Sequence, residues 1–413
     1  MADLLLTHAA QIVTLAGPPR PRTGPQLRDL GLVSNASMLV RDGRIVAVGN
    51  PADLEAQALN PEVVDAGGRL VTPGFVDAHT HLVFAGNRAL EFEQRCAGAT
   101  YQEIAAAGGG IRSTVRLTRA ASEDALVAAA ARYAHWFLAG GTTTIEAKSG
   151  YGLRTEDELK ILRSIRRIGE NTPLRCVPTF LGAHELPDEF HGRPDDYIHM
   201  IVDEMLPRVA QQRLAEYCDV FCETGVFTPH HARLVLAAAR RHGLGLRMHA
   251  DQFSSIGAAE LAAELHVQTC DHLEHASSAS IAALARAGVQ PILLPGSVYA
   301  IRSTQYPPAR EMIDAGLAVV LATDFNPGSS PTTSMRMVLS LACTQMKVTP
   351  AEALTAATIN AACSLSRGHE IGSLEPGKCA DFVVHDAEDY RELPYFFGNP
   401  PAAMVFISGS RVV

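Results

Sequence analysis

Between residues 71 and 368, eight short apolar runs alternate with amphipathic stretches of helical period, and this alternation constrains the fold more than any other feature. Eight β/α units in about 300 residues match the length of a (β/α)8 TIM-like barrel, an α/β fold. A doubly wound sheet would require a glycine-rich phosphate-binding turn after its first strand, and the sequence has none there. The predicted strands are 75–81, 142–147, 175–183, 220–224, 245–250, 269–273, 290–294 and 318–323. The predicted helices include 122–139, 155–169, 229–241, 255–265, 277–287 and 307–315.

The two ends of the chain differ from this middle part. Residues 4–70 and 380–413 contain short β-type runs separated by turn residues, among them Asp42-Gly43, which is typical of a hairpin turn. We therefore predict that both termini pair into one small β-sandwich domain. The predicted division is 1–70 and 369–413 for the sandwich domain and 71–368 for the barrel.

The charge balance restricts the possible partners. The chain carries 35 Lys and Arg against 44 Asp and Glu, a formal net charge of −9, which argues against a nucleic-acid partner. Lysine is too rare for a polybasic membrane anchor, and the N-terminal residues do not resemble a signal peptide, so we expect a cytoplasmic protein without a membrane partner. The eight cysteines are dispersed, which favours free thiols over a zinc cage, even for Cys218 and Cys222.

Imidazole and carboxylate side chains follow four of the predicted strands, at the ends where barrel enzymes place their catalytic groups. The first strand ends in His79-Thr-His81, and residues two apart on a strand face the same side. His249, His272 and Asp324 stand at the ends of strands five, six and eight. One histidine pair alone is weak evidence, but the shared placement predicts a metal-binding centre.

The residues around these positions resemble the amidohydrolase superfamily over essentially the whole chain. The motif VTPGFVDAHTH at 71–81 is similar to its opening motif, and GKCADFV at 377–383 is similar to the return into its small β domain. Finer motifs resemble the superfamily members that open an imidazolone ring in histidine degradation. These motifs lie at 81–88, 98–101, 108–111, 148–152, 180–184 and 323–329.

This resemblance implies a metal-dependent hydrolase with one zinc or iron ion. Binuclear members carry a lysine at the end of the fourth strand, where this sequence has none, so one ion is expected. Cys222 and Glu223 are the residues that could replace that lysine. The implied metal ligands are His79, His81, His249 and Asp324.

The implied reaction is hydrolysis of the ring amide C–N bond of 4-imidazolone-5-propanoate to N-formimidoyl-L-glutamate. His272 and Asp324 are the implied catalytic residues, and the sequence leaves open which of them is the general base. Arg88 is implied to bind the propionate, with Tyr101 and Tyr151 as hydroxyl donors. The remaining implied substrate-binding residues are His184, Gln252, Asn326, Gly328 and Ser329.

Gln252 separates this interpretation from its alternatives. Ring deaminases of the superfamily carry glutamate three residues after the fifth-strand histidine, where it delivers a proton to a ring nitrogen, and glutamine cannot do so. Deamination of a related heterocycle therefore comes second, and a non-catalytic scaffold, which would lose metal ligands, comes third. The resemblance further implies a homodimer. The three glycines at 108–110 predict either a mobile lid or a plain turn.

Overall fold

The computed structural model describes residues 3–99, 103, 108–398 and 402–413. Within these residues, sixteen strands form two separate eight-stranded sheets. The strands, in chain order, are β1 (Leu4–Val13), β2 (Leu32–Arg41), β3 (Arg44–Gly49), β4 (Glu62–Asp65), β5 (Leu70–Pro73), β6 (Phe75–Asp77), β7 (Thr142–Lys148), β8 (Arg175–Ala183), β9 (Tyr217–Cys222), β10 (Gly245–Ala250), β11 (Thr269–His272), β12 (Gln290–Leu293), β13 (Val320–Leu321), β14 (Phe382–His385), β15 (Met404–Ile407) and β16 (Ser410–Arg411).

Helices alternate with strands β6 to β13, which form one of the two sheets. The α-helices of the described residues are Pro51–Gln57, Ala89–Cys96, Ile111–Ala120, Glu123–Ala139, Thr155–Asn171, Pro194–Met200, Leu206–Gln211, Pro229–Arg241, Ala258–Glu264, Ser278–Ala287, Pro295–Ala300, Ala309–Asp314, Met335–Met346, Pro350–Ala356, Ile359–Ser364 and Glu392–Tyr395. Short 3-10 helices lie at Gly24–Arg28 and Asp188–Phe190, and a π-helical turn lies at Ile201–Met205.

Strands β6 to β13 are neighbours in chain order and pair in parallel, as in a (β/α)8 barrel. The ring closes just beyond the first and last strands. There the His81 amide donates to the Phe325 carbonyl at 2.8 Å, and the Asp324 amide donates to the His79 carbonyl at 3.0 Å. All eight predicted barrel strands are present, so the barrel prediction is confirmed.

The first and eighth barrel strands are shorter than predicted, and they end at Asp77 and Leu321. The Asp77 carboxylate accepts a hydrogen bond from the Thr323 amide at 3.0 Å and a second one from the Thr323 hydroxyl. Between Asp77 and Thr323, hydrogen bonds to a side chain therefore take the place of backbone hydrogen bonds between the two strands. Both strands end here, at the rim of the barrel.

Both chain ends form the other sheet, in the order β16-β15-β14-β5-β1-β2-β3, with β4 paired to β1. Strand β1 pairs in parallel with β4 over its first half and with β5 over its second half, and the sheet surrounds one apolar core. Phe382 and Phe406 stack in this core with ring centroids 4.3 Å apart. The β domain predicted from both termini is confirmed, whereas its limits at residues 70 and 368 stay predictions.

Two further features concern the chain as a whole. Among the residues that the structure describes, no helix has the length and apolar character needed to span a bilayer. All eight cysteines are free thiols. Burial raises the pKa of the Cys218 thiol well above its usual value, so this cysteine is an unreactive, protonated group in the core.

Candidate active site

Four of the predicted metal-binding side chains converge at the rim of the barrel. His79 and His81 follow β6, His249 lies on β10 and Asp324 follows β13. The Nε2 atoms of His79 and His81 each lie 3.5 Å from Oδ1 of Asp324, and the rings of His79 and His249 are 4.5 Å apart between centroids. All four side chains are at most 4 % exposed. The structure therefore brings these four side chains together, and their binding of a metal ion stays a prediction.

The imidazoles of this cluster are in the form that binds metals. Burial is the main cause that lowers the pKa of His79, His81 and His249, so all three rings are neutral at pH 7. Nε2 of His79, the nitrogen that faces Asp324, is buried and has no hydrogen-bond partner among the described residues. A buried nitrogen without a partner is costly, and a divalent ion would satisfy it. The cluster therefore fits a metal ion.

A second layer of buried charges holds these imidazoles. Oδ2 of Asp271 accepts a hydrogen bond from Nδ1 of His79 at 2.7 Å, and Oδ2 of Asp219 lies 3.0 Å from Nδ1 of His249. Nζ of Lys148 lies 2.8 Å from Asp219 and 3.7 Å from Asp271, so one ammonium group faces both carboxylates. Carboxylates in this position fix the tautomer of a metal-binding histidine and orient its ring.

His272 and Asp324 share an unusual backbone conformation. Their φ angles are +80° and +54°, in the left-handed region that is uncommon for non-glycine residues and recurs at turns and functional sites. Burial raises the pKa of Asp324 to about 6, and the neighbouring His272 opposes this increase. Nδ1 of His272 lies 3.4 Å from Oε1 of Glu274, which leaves Nε2 of His272 for another partner. The two predicted catalytic residues are therefore next to each other and next to the histidine cluster.

The structure brings Arg88 and Gly328 together at the edge of this cluster. A Cβ atom on residue 328 would lie 3.0 Å from Cζ of Arg88, so the guanidinium group occupies the space that any larger residue would need. Nε of Arg88 donates to Oγ1 of Thr114 at 3.0 Å, and its other guanidinium nitrogens form no hydrogen bond with any residue in the described part of the chain, so they can bind a ligand. This arrangement fits a carboxylate-binding subsite.

Asn326 organises the loop that carries Gly328 and Ser329. Its Oδ1 atom accepts hydrogen bonds from the amides of Gly328 and Ser329 at 2.8 and 2.7 Å, and its Nδ2 atom donates to the carbonyl of Asp324. Ser329 is half-buried, and its hydroxyl lies 3.5 Å from Oδ2 of Asp324. A direct contact between Asn326 and substrate stays a prediction.

Tyr151 and His184 also border the histidine cluster. The ring of His184 stacks on His81 at 5.0 Å, and the ring of Tyr151 lies 5.4 Å from that of His184. Nδ1 of His184 donates to the carbonyl of Gly150 at 2.9 Å, and burial lowers the pKa of this histidine to about 3. Neutral His184 therefore presents Nε2 as a hydrogen-bond acceptor.

Two other predicted substrate residues are less well defined by contacts. Gln252 is half-buried, and its side chain forms no hydrogen bond with any residue that the structure describes. Tyr101 lies outside the described residues. Gly110 precedes the helix Ile111–Ala120, and its amide donates to Glu91 at 3.0 Å. The lid and the plain turn at 108–110 both stay predictions.

Similarity to known proteins shows the family to which this chain belongs. The amidohydrolase family matches residues 70–412. The chain belongs to the amidohydrolase family. It is 61 % identical over 413 residues to an imidazolonepropionase of Solibacter usitatus, covering 100 % of this chain and 99 % of the relative. It is 48 % identical to the imidazolonepropionase of Geobacillus kaustophilus, covering 100 % and 98 %. The finer resemblance noted in the sequence is therefore confirmed as well.

Solved amidohydrolase structures share the architecture of this chain. An adenosine deaminase from Xanthomonas campestris with bound zinc has a TM-score of 0.70 at 19 % identity, covering 99 % of this chain and 92 % of that one. The guanine deaminase of E. coli has a TM-score of 0.72 at 15 % identity, covering 100 % and 99 %. At these identities the likeness establishes the fold alone.

Sequence reasoning missed three groups of this amidohydrolase site. All three are fully buried charged residues: Lys148 ends β7, Asp271 is the last residue but one of β11, and Asp219 lies in the middle of β9. A charged residue inside an otherwise apolar strand is the signal that could have found them. Phe221 was also missed, although its ring lies 5.7 Å from that of His249. The described residues form two overlapping groups that could hold a metal, His79 with His249 and His272, and His79 with His81 and Asp324. Cys222 and Glu223 belong to neither group.

Proposed function

We propose that this chain is an imidazolonepropionase, a hydrolase that opens the ring of 4-imidazolone-5-propanoate to N-formimidoyl-L-glutamate in histidine degradation. The observation that carries the proposal is the position of Arg88 against Gly328, beside the two overlapping buried groups that could hold a metal, His79 with His249 and His272, and His79 with His81 and Asp324. An anion subsite next to a metal-type cluster suits a ring that carries a propionate. The identity of 61 % to the Solibacter usitatus enzyme supports the same substrate.

We assign one zinc or iron ion to the site. His79, His81, His249 and Asp324 would hold it, and three imidazoles with one carboxylate accept either metal. A single ion is supported by the fourth strand, where Phe221 faces His249 and no lysine is present. When bound, such an ion acts as a Lewis acid that activates water and polarises a carbonyl group.

The side chains of the site divide the remaining work of the reaction. Water adds to the ring carbonyl carbon, the ring C–N bond breaks, and the departing nitrogen takes up a proton. We assign the proton of the water to Asp324, because burial raises the pKa of this carboxylate to about 6 and so makes it a stronger base than an exposed aspartate; Asp324 then returns the proton to the departing nitrogen. His272 then hydrogen-bonds through Nε2 to the carbonyl oxygen as negative charge develops there.

The other polar groups bind the substrate. Arg88 pairs with the propionate, and we assign the hydroxyl group of Tyr151, whose ring lies 5.9 Å from that of His81 and 5.4 Å from that of His184, to the same tail. We assign binding of the ring or of the acyclic product to His184, Gln252, Asn326, the Ser329 hydroxyl and the Gly328 backbone. Tyr101 is assigned to the same tail subsite on the resemblance alone.

The products of the reaction test this proposal. Purified protein of known metal content is incubated with enzymatically generated imidazolonepropanoate, and the loss of ring absorbance is followed. We expect N-formimidoyl-L-glutamate without free ammonia. Release of ammonia with an intact ring would show that the protein is a deaminase and not a ring-opening hydrolase. A protein that binds its metal fully but does not change the substrate would favour the non-catalytic scaffold.

The carboxylate behind His79 gives a prediction on metal affinity. Replacement of Asp271 by Asn removes the charge that holds Nδ1 of His79, so we expect the metal to bind about 10- to 100-fold more weakly. Competition with a chelator measures this affinity without any substrate. Asp251→Asn is the control, because Asp251 is an equally buried carboxylate at the end of β10. Equal affinities for the wild type and Asp271→Asn would contradict the assigned role.

The assembly is proposed from the resemblance, and the compartment from the N-terminal residues and the scarcity of lysine. We propose a homodimer in the cytoplasm. Light scattering on the purified protein is expected to give twice the mass of one chain, and a monomer at micromolar concentration would contradict this expectation.

A further inference from the structure

The segment 149–153 carries Tyr151 and supports His184, and it is fixed by a buried carboxylate. Oε2 of Glu158 accepts a hydrogen bond from the amide of Gly150 at 2.9 Å, and Oε1 accepts from the amides of Gly152 and Leu153 at 2.7 and 2.8 Å. The Glu158 side chain is fully buried. One carboxylate thus satisfies three amide groups of a segment that contains no regular secondary structure.

The opposite side of the same segment is held by an arginine. Nε of Arg119 donates to the carbonyl of Gly152 at 2.6 Å, and its NH2 group donates to the carbonyl of Leu153 at 3.3 Å. Amide groups on one side and carbonyl groups on the other are therefore both bound by charged side chains. These contacts hold Leu153 at a φ of +53°, a conformation that leucine rarely adopts.

The packing of the segment leaves no room for an alternative path. A Cβ atom on residue 152 would lie 2.6 Å from the backbone nitrogen of Glu158, so Gly152 runs directly against the first turn of the helix Thr155–Asn171. Gly150, with a φ of +113°, accepts the hydrogen bond from Nδ1 of His184 at 2.9 Å. The position of Gly150 therefore sets both the orientation and the tautomer of His184.

The helix Ile111–Ala120 links this segment to the other half of the substrate subsite. Thr114 on this helix accepts the hydrogen bond from Nε of Arg88, and Arg119 on the same helix binds the segment 149–153. One rigid element therefore fixes the distance between Arg88 and Tyr151.

We propose that Glu158 and Arg119 are positioning residues that clamp the segment 149–153 from its two sides and so hold Tyr151 and His184 in place for the substrate, an inference that rests on the proposed function. Neither side chain touches the reacting atoms. They set affinity and leave the chemical step to the histidine cluster.

Glu158→Gln is the most specific variant, because it keeps an oxygen for Gly152 and Leu153 but turns an amide nitrogen towards the amide of Gly150. We expect KM to rise about tenfold, as for the loss of one buried hydrogen bond, while kcat per bound metal stays within about twofold of the wild type. Arg119→Gln removes the other side of the clamp and is expected to change KM in the same direction. It also tests the proposal if Glu158→Gln does not fold.

Glu352→Gln is the matched control. Glu352 is another buried carboxylate that accepts a backbone amide, from Thr349 at 2.8 Å, and that pairs with Arg310, but it belongs to the helix Pro350–Ala356. A merely structural role predicts that Glu158→Gln and Glu352→Gln both lower the unfolding temperature and the active fraction at unchanged KM. An unchanged KM in Glu158→Gln and Arg119→Gln would overturn the clamp.

A binding measurement separates this inference from the reaction itself. The stable probe 3-(imidazol-4-yl)propanoate is titrated into each protein by calorimetry, and the dissociation constant is expected to rise about tenfold in both clamp variants. If the wild type binds the probe but forms no formimidoylglutamate, the proposed function fails while the clamp is still decided by these constants. A wild type that neither binds the probe nor turns over substrate overturns both.

Discussion

Replacement of Asp324 by Asn is expected to lower kcat by about 10³-fold or more, because the side chain loses its ability to take up a proton. The carboxylate of Asp324 lies 3.5 Å from His79 and from His81, and Asn cannot supply its negative charge at the same position. The variant keeps nearly the same volume, so the barrel should fold normally. The measurement is kcat with imidazolonepropanoate, accompanied by circular dichroism and elemental analysis of bound metal.

The control for this experiment is Asp251→Asn. Asp251 is fully buried at the same rim and has a φ of +52°, so it resembles Asp324 in burial and in backbone conformation. It lies outside both of the histidine clusters that could hold a metal in the described chain. We expect this variant to retain most of its activity. Normal turnover by Asp324→Asn would contradict the role of Asp324, and an equal loss in Asp251→Asn would mean that any buried carboxylate of the rim has the same effect.

The fold could be predicted from the sequence wherever hydrophobic periodicity alone decides the structure. The strands 175–183 and 245–250 and the helix 229–241 have the predicted limits, since each is an unbroken pattern bounded by turn or capping residues. Two strands are shorter than predicted, the one that begins at Phe75 and the one predicted to end at Thr323. There the carboxylate of Asp77 accepts the hydrogen bond of the Thr323 amide. These two residues are 246 positions apart, so no local sequence pattern can predict their contact.

The same reasoning explains which parts of the site could be predicted. The pair His79 and His81 is visible because its spacing is local, and strand geometry places both rings on one face. The contact between His79 and Asp271 joins residues 192 positions apart, and the contact between Lys148 and Asp219 joins residues 71 positions apart. Such contacts depend on strand register around the closed barrel. The sequence fixes that register only through the whole fold.

Replacement of Arg88 by Ala is expected to raise KM about 100-fold. This is the size of effect expected for the loss of a charge-assisted pair between an arginine and the propionate tail. The kcat value should change far less, because Arg88 binds a part of the substrate that does not react. Steady-state kinetics at saturating and limiting substrate separate the two constants. An imidazolone without the carboxylate should show the same KM with both proteins.

Two further variants decide whether this effect belongs to the subsite or to net charge. Arg116→Ala removes an exposed arginine from the helix Ile111–Ala120 and should leave KM unchanged. Gly328→Ala keeps Arg88, but its new Cβ would fall 3.0 Å from Cζ of Arg88 and closer still to one of its nitrogens, so the guanidinium must move. We therefore expect Gly328→Ala to raise KM in the same direction as Arg88→Ala. If Arg88→Ala and Gly328→Ala both keep the KM of the wild type, Arg88 does not belong to the binding site. An anionic tail would then no longer distinguish this substrate.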